Sequence, residues 1–172
     1  METITHNLAG IIIQILCFRF LIFPWNLIFT IFFAFISHIF IDTFSVLTYH
    51  TPEAQKGDKF WVIWHYIIYG VSLISIIIFI IPYWLSMIFA NIIDIWDWLI
   101  LRPFQKRKRK SNPEFKWGDK YYLHQIVDWV RAKLFFWLPV RQDKKSGIII
   151  EIFIIITFSI ILGFLGASLF IA

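Results

Sequence analysis

Long apolar segments, each close to the length that crosses a bilayer, recur through this sequence. A transmembrane helix needs about 20 mostly apolar residues to cross the hydrocarbon core. Of the 172 residues, 59% are hydrophobic and only 16% are charged, and the mean hydropathy is +0.74. This composition is unlike that of a soluble domain. It predicts an all-α, polytopic helical membrane bundle that forms a single domain.

The apolar segments divide the chain into four to five predicted transmembrane helices. Pro24 and Pro82 mark two of the boundaries, because proline disfavours the continuation of a helix. A single kinked helix over residues 60–101 would be about 60 Å long, twice the hydrocarbon thickness, so we expect a hairpin at Pro82 instead. The predicted spans cover residues 8–23, 26–47, 60–81, 83–101 and 147–171.

The segment between the fourth and fifth predicted spans is polar and basic. Residues 102–120 form a basic loop, and residues 121–138 carry apolar side chains at the spacing of an amphipathic interfacial helix. The positive-inside rule places this segment and the N-terminus in the cytoplasm. We expect the basic residues from Arg102 to Lys110 to face anionic lipid headgroups rather than nucleic acid.

Histidine and aspartate residues occur within the apolar segments, where an unpaired charge is costly. His38 and Asp42 are four residues apart, so they lie on one face of the second helix. A charged residue at the centre of a membrane helix costs about 2.5–3.5 kcal/mol, and such residues normally have a partner or a metal. Counting through the spans places further candidates in the same cytoplasmic half of the membrane: His6, His65, Asp94 and Asp97.

Imidazole and carboxylate groups at one depth predict a divalent-metal site, with zinc the preferred ion. The expected ligands are His6, His38, Asp42, His65, Asp94 and Asp97. The last two are also the candidate catalytic carboxylates.

His124 and Asp128 lie on a polar stripe of the amphipathic helix. Such a stripe usually faces solvent. If the amphipathic helix folds over the metal site, the helix would act as a lid and the stripe would form a second layer of side chains around the ligands. Two other interpretations of the buried polar residues stay open, an interhelical ion-pair network and a proton or ion path.

Two short motifs resemble those of the YdjM-like family of membrane-bound metal-dependent hydrolases, which look related to the zinc-dependent phospholipase C and P1 nuclease superfamily. Thr5-His6-Asn7-Leu8-Ala9-Gly10 matches the family pattern T-H-x-x-x-G, and Ser37-His38-Ile39-Phe40-Ile41-Asp42 matches S-H-x-x-x-D. Asp94-Ile95-Trp96-Asp97 is the nearest match to the family's P-D-x-D element, and its H-R-G-x-T-H-S element has no counterpart. The resemblance implies metal-dependent hydrolysis of a phosphoester that could be lipid-like. The alternatives are a non-catalytic scaffold or inactive relative, and an ion or proton transporter.

Overall fold

The computed structural model describes residues 1–51 and 55–169, with side chains up to residue 167, and the regular structure of these residues is helical. Four of the described helices are long and apolar enough to cross a membrane, which confirms the predicted all-α bundle. They are α1 (Thr3–Phe20), α2 (Trp25–Thr43), α3 (Lys59–Ala90) and α7 (Gly147–Leu169).

Shorter helices complete the fold. They are α4 (Ile92–Asp94), α5 (Arg102–Ser111) and α6 (His124–Leu134). A π-helical segment, Ile95–Leu101, joins α4 to α5, and 3-10 turns occur at Phe44–Leu47 and Trp117–Tyr121. Residues 52–54, which lie between the second and third predicted spans, are outside the described residues, as are residues 170–172, which include the end of the fifth predicted span.

Helix α1 is the centre of the bundle, because α2, α3 and α7 all pack against it. It begins at Thr3, five residues before the predicted start of the first span. The predicted span excluded the polar residues Thr5, His6 and Asn7. In the structure Thr5, His6 and Asn7 are buried against neighbouring helices, so the helix continues through them.

Helix α3 turns sharply at Tyr83, directly after Pro82, where the backbone leaves the helical region with φ −125° and ψ 25°. Asn7 of α1 contacts both sides of this turn. Its amide donates to Ser75 Oγ at 2.7 Å, and its carbonyl accepts from Asn91 Nδ2 at 2.8 Å. In a straight helix, positions 75 and 91 would be about 24 Å apart. The two limbs of the chain therefore lie side by side, and the chain reverses direction next to Pro82.

The second limb of this hairpin, residues 83–101, is less regular than the single span predicted there. Asn91 has non-helical backbone angles and interrupts the helix between α3 and α4. Its side chain donates to the carbonyl of Met87 at 2.7 Å as well as to Asn7. Asparagine competes with helical hydrogen bonding in this way, so the limb is built from short segments that end in the π-helix.

The segment at 102–120, which we expected to be a loop, is largely helical. Pro103 lies in the first turn of α5, where its missing N–H costs nothing. Lysine, arginine and glutamine favour helix. The cations Lys108, Arg109 and Lys110 occupy the last turn, where they complement the helix dipole.

Helix α6 lies across the end of the bundle that holds α4 and the end of α2. Its buried Val127 packs against Ile39 of α2 and Ile93 of α4, which fixes the helix in place. The helix is shorter than the amphipathic helix predicted over residues 121–138. It ends before Phe135, whose backbone is not helical.

Candidate metal centre

Four side chains from three helices converge at this end of the bundle. They are His38 and Asp42 of α2, Asp94 of α4 and His124 of α6, and one ligand atom of each lies within 4.8 Å of the other three. We term these residues the His–Asp group. The two α2 residues are buried, whereas Asp94 and His124 have side chains 27% and 24% exposed. The group is therefore enclosed on the α2 side and open on the other.

Asp42 is the common contact of this cluster. Its Oδ2 lies 3.2 Å from His38 Nε2 and 3.3 Å from His124 Nε2. Its Oδ1 lies 3.0 Å from His6 Nε2 and 2.6 Å from the terminal amine of Met1. His124 Nε2 is also 3.3 Å from Asp94 Oδ1. The carboxylate of Asp42 thus joins groups from three parts of the chain.

The ring of His38 is oriented by a hydrogen bond between its Nδ1 atom and the backbone of the second limb. Its Nδ1 lies 2.7 Å from the carbonyl oxygen of Ala90, so this nitrogen must carry the proton and donate it. In the neutral ring Nε2 then carries a lone pair. Nε2 is buried without a hydrogen-bond partner, although the Asp42 oxygen is close. Two lone pairs facing each other at this distance require a proton or a cation between them.

The ring of His124 is oriented in the same manner by Asp97. This fully buried carboxylate accepts hydrogen bonds from the backbone N–H groups of Leu123 and His124, at 2.9 and 2.8 Å. It also accepts one from His124 Nδ1 at 2.7 Å. Metal-binding histidines usually have a carboxylate or carbonyl partner of this kind on the second nitrogen.

This arrangement corrects the role expected for Asp97. We expected a ligand and a catalytic carboxylate, but three hydrogen bonds occupy its two oxygens on the far side of His124. Asp97 therefore positions His124 and does not face the other carboxylates of the group. Asp94 belongs to the group and lines the cavity beside it, and its expected catalytic role stays a prediction.

The charge of the group favours a cation. Burial disfavours the charged form of His124, but hydrogen bonds to Asp42, Asp94 and Asp97 outweigh burial and raise the pKa of this imidazole to about 10. In the absence of a metal, a protonated ring at neutral pH therefore supplies the positive charge that the carboxylates require.

The distances within the group fit a small divalent ion. A tetrahedral zinc site with bonds of about 2.0–2.1 Å has ligand atoms about 3.3–3.4 Å apart. Three separations between nitrogen and oxygen ligand atoms of the group are 3.2, 3.3 and 3.3 Å. Two imidazole nitrogens and two carboxylate oxygens are also a donor set that zinc accepts.

His6 lies beside the group. Its ring stacks on that of His38 with centroids 4.2 Å apart, and its Nε2 contacts Asp42. Its Nδ1 is buried without a hydrogen-bond partner. His6 therefore supports the side of Asp42 that faces α1.

His65 is not brought to the group. It is buried, but its ring stacks on Trp61 at 3.9 Å and its Nδ1 donates to the Trp61 carbonyl at 2.8 Å. This expected ligand is instead a packed side chain of α3.

His124 and Asp128 of α6 have different environments. His124 is a member of the group itself, whereas the Asp128 side chain is 71% exposed and lies 3.6 Å from Arg131. Sequence reasoning placed both on a polar stripe and left the lid as one possibility. Leu123, Val127 and Val130 flank this stripe and pack on α2 and α4. Those apolar neighbours are the signal that the stripe faces the bundle.

A cavity of about 960 Å³ opens beside the His–Asp group. Its polar wall includes Asp42, Asp94, His124 and Arg131. Its apolar wall comes from both limbs of the α3 hairpin and from the π-helix, and includes Ile76, Ile80, Met87, Ile88 and Leu99. The cavity therefore joins a polar end to a long apolar surface.

Comparison of the chain with protein-family models, with curated proteins and with solved structures finds no match in any of the three.

Proposed function

We propose that this protein is an integral-membrane, metal-dependent hydrolase that acts on a phosphoester. The observation that carries the proposal is the His–Asp group, in which the Nδ1 atom of each imidazole is held by a carbonyl or carboxylate oxygen and His38 Nε2 lies 3.2 Å from a carboxylate oxygen of Asp42. A site that only packed helices together would have no need for two histidines oriented in this way.

The residues of the group take distinct roles in this proposal. His38, Asp42, Asp94 and His124 would hold the cation, with zinc the preferred ion. A divalent cation there would act as a Lewis acid toward a phosphoryl oxygen and would make a neighbouring water more acidic. Asp94 is the partly exposed carboxylate and lines the cavity, so it is placed to accept a proton from that water.

The substrate class follows from the cavity and from the motifs. The apolar wall beside the group suits a lipid-like phosphoester, because an acyl chain could lie against it. The two motifs that resemble the YdjM-like family contribute His6, His38 and Asp42, and all three side chains meet at Asp42. We further propose that this end of the bundle is cytoplasmic and that α5 faces anionic headgroups, because α5 carries the basic cluster.

Metal analysis of protein purified in detergent tests the proposal. After dialysis against trace zinc, we expect about one equivalent per chain in the unaltered protein and a loss of nearly all of it on combined His38→Ala and Asp42→Ala substitution. His65→Ala is the matched control, because this histidine is buried outside the group, and it should retain the metal. Zinc content below one equivalent in the unaltered protein, unchanged by the double substitution, would reject a metal centre.

Turnover is the second part of the test. Zinc-loaded protein should hydrolyse a member of a panel of phosphoesters that includes lipid and water-soluble substrates, and Asp94→Asn should reduce kcat by about 10²–10⁴-fold if Asp94 accepts the proton. Retained zinc without turnover on the panel would favour an inactive relative.

The second candidate function is a non-catalytic scaffold held together by an ion-pair network. A protonated His124 would lie within 3.3 Å of carboxylate oxygens of Asp42, Asp94 and Asp97, so it could pair with all three without a metal. The zinc measurement separates the two candidates, since a network of this kind has no requirement for a divalent ion.

A further inference from the structure

Arg131 of α6 is the one lysine or arginine among the described residues that line the cavity beside the His–Asp group. It follows His124 by seven residues on α6, which is two helical turns, so both side chains lie on the same face of that helix. A guanidinium side chain therefore lines the same cavity as the group.

Only part of the Arg131 guanidinium is used by the protein. Nη2 donates to the backbone carbonyl of Asp42 at 2.8 Å and lies 3.4 Å from Ser45 Oγ, which anchors the side chain at the end of α2. The acid nearest to Nη1 is the exposed Asp128, at 3.6 Å. Nε is buried without a hydrogen-bond partner. Because Nε is buried, the donors that the anchored guanidinium retains for a ligand are those of Nη1.

We propose that Arg131 binds the phosphoryl oxygens of the substrate, so that the cavity selects esters that carry a negative charge. The planar guanidinium presents several N–H donors in a fixed geometry that matches phosphate oxygens. Because Nη2 is held by the carbonyl of Asp42, the charge is fixed next to the residue at the centre of the His–Asp group. This inference rests on the proposed function, because it identifies the substrate group that the same site recognises.

The structure also explains why a neutral ester would be a poorer ligand. With a neutral ester, the charged partner of Arg131 would be the solvent-exposed Asp128, whose carboxylate lies 3.6 Å from Nη1. A phosphoryl group supplies both the charge and the acceptors. Asp128 is too exposed to fill this role, since its side chain is 71% accessible.

Binding measurements test this inference without depending on turnover. Isothermal titration of purified protein in detergent, with and without zinc, would use two probes: inorganic phosphate and dihexanoyl phosphatidic acid. We expect Arg131→Met to weaken binding of both probes by about 10–100-fold, the usual effect of losing a charged hydrogen bond. Arg131→Lys, which keeps the charge but loses the planar geometry, should give an intermediate loss. Tighter binding of the lipid probe than of phosphate would identify a lipid headgroup as the source of the phosphoryl group, and equal binding would identify phosphate chemistry alone.

Lys133→Met is the matched control, because it removes one positive charge from an exposed position of the same helix outside the cavity. It should bind both probes as the unaltered protein does. Zinc content and circular dichroism of each variant show whether the site and the fold are intact. Unaltered binding in Arg131→Met, or an equal loss in Lys133→Met, would overturn the inference. If the protein binds no zinc but loses phosphate binding in Arg131→Met alone, the proposed function fails and the inference stands.

Discussion

Asp97 shows how a buried residue outside the His–Asp group could still control it. Its carboxylate holds both the backbone and Nδ1 of His124, so it fixes where Nε2 points. We expect Asp97→Asn to weaken zinc binding by about 10–100-fold, the usual effect of losing a carboxylate behind a metal-binding histidine. Competition with a zinc chelator measures this loss.

The control for that substitution is Asp128→Asn, which removes the same charge from an exposed position on the His124 helix. Zinc affinity should change little in this variant. An unchanged affinity in Asp97→Asn would mean that His124 is oriented by other contacts, or that it does not bind the metal.

Helix α1 and the second limb of the hairpin pack so closely at Gly10 that little room is left for a side chain. A Cβ atom at this position would lie 3.0 Å from the Ser86 carbonyl oxygen and 3.1 Å from Ala90 Cβ. We expect Gly10→Leu to lower the free energy of unfolding by about 1–3 kcal/mol, as overpacking of a core usually does. Because Ala90 also orients His38, zinc affinity should fall as well.

Gly70→Leu is the matched control, since nothing lies within 4 Å of a Cβ atom at that position. It should be neutral or stabilising by up to about 1 kcal/mol, because leucine has a higher helix propensity than glycine. Thermal unfolding of both variants in detergent provides the comparison. Equal stabilities would show that α1 and the second limb do not pack this closely.

For single residues, spacing within a helix predicted which side chains share a face. Contacts between residues far apart in the chain could not be predicted from the sequence. The i, i+4 spacing of His38 and Asp42 was enough to predict a shared face, and the structure brings both into one group. The role of His124 depends on Asp97, 27 residues earlier in the chain, and on the packing of α6 over α4. No pattern within α6 specifies that contact. His65 had a suitable depth, but its packing against Trp61 depends on ring geometry that spacing does not determine.

Among the helices, a side chain of α1 contacts the backbone where α3 reverses direction. Gln14 of α1 donates to the carbonyl of Pro82 at 3.2 Å and accepts from the N–H of Ser86 at 3.1 Å. A proline and a sharp turn leave backbone groups of this kind without helical partners. In a membrane such groups must find partners within the protein.

We therefore expect Gln14→Leu to lower the free energy of unfolding by about 1–3 kcal/mol for each buried backbone group left unpaired. Thr157→Val is the control, because the Thr157 hydroxyl bonds only to the carbonyl of Phe153 within its own helix. Chemical unfolding in mixed micelles would measure both. Equal effects of the two substitutions would argue against a supporting role for Gln14 at the turn.

The sequence predicted the existence of the helices better than their boundaries. Apolar segments of suitable length anticipated α1, α2, α3 and α7, because burial in lipid leaves few alternatives to a helix. The basic composition of residues 102–120 led us to predict a loop. Lysine and arginine also favour helix, and residues 102–111 form α5. The end of α6 at Leu134 was also missed, since apolar residues continue past it to Leu138.

For the whole molecule, the unequal distribution of charge predicts an orientation that can be measured. Basic residues concentrate in α5, whereas the turn between α1 and α2 lies at the opposite end of α1 from His6. In a Cys17→Ser background, which lacks cysteine, we expect Phe23→Cys to react with a membrane-impermeant maleimide in intact cells. Lys108→Cys should react only after permeabilisation, since the positive-inside rule places α5 in the cytoplasm. The reverse labelling pattern would contradict that orientation.

The central position of α1 has a consequence for how the protein is made. Helix α1 has polar side chains whose partners follow it by many residues and are synthesised later: Asn7 pairs with Ser75 and Asn91, and Gln14 pairs with Pro82 and Ser86. The backbone N–H of Glu2 donates to Glu151 of α7, 149 residues later. During biosynthesis α1 must therefore persist in the translocon or the lipid with unsatisfied polar groups, and a helper that shelters it there would raise the yield of mature protein.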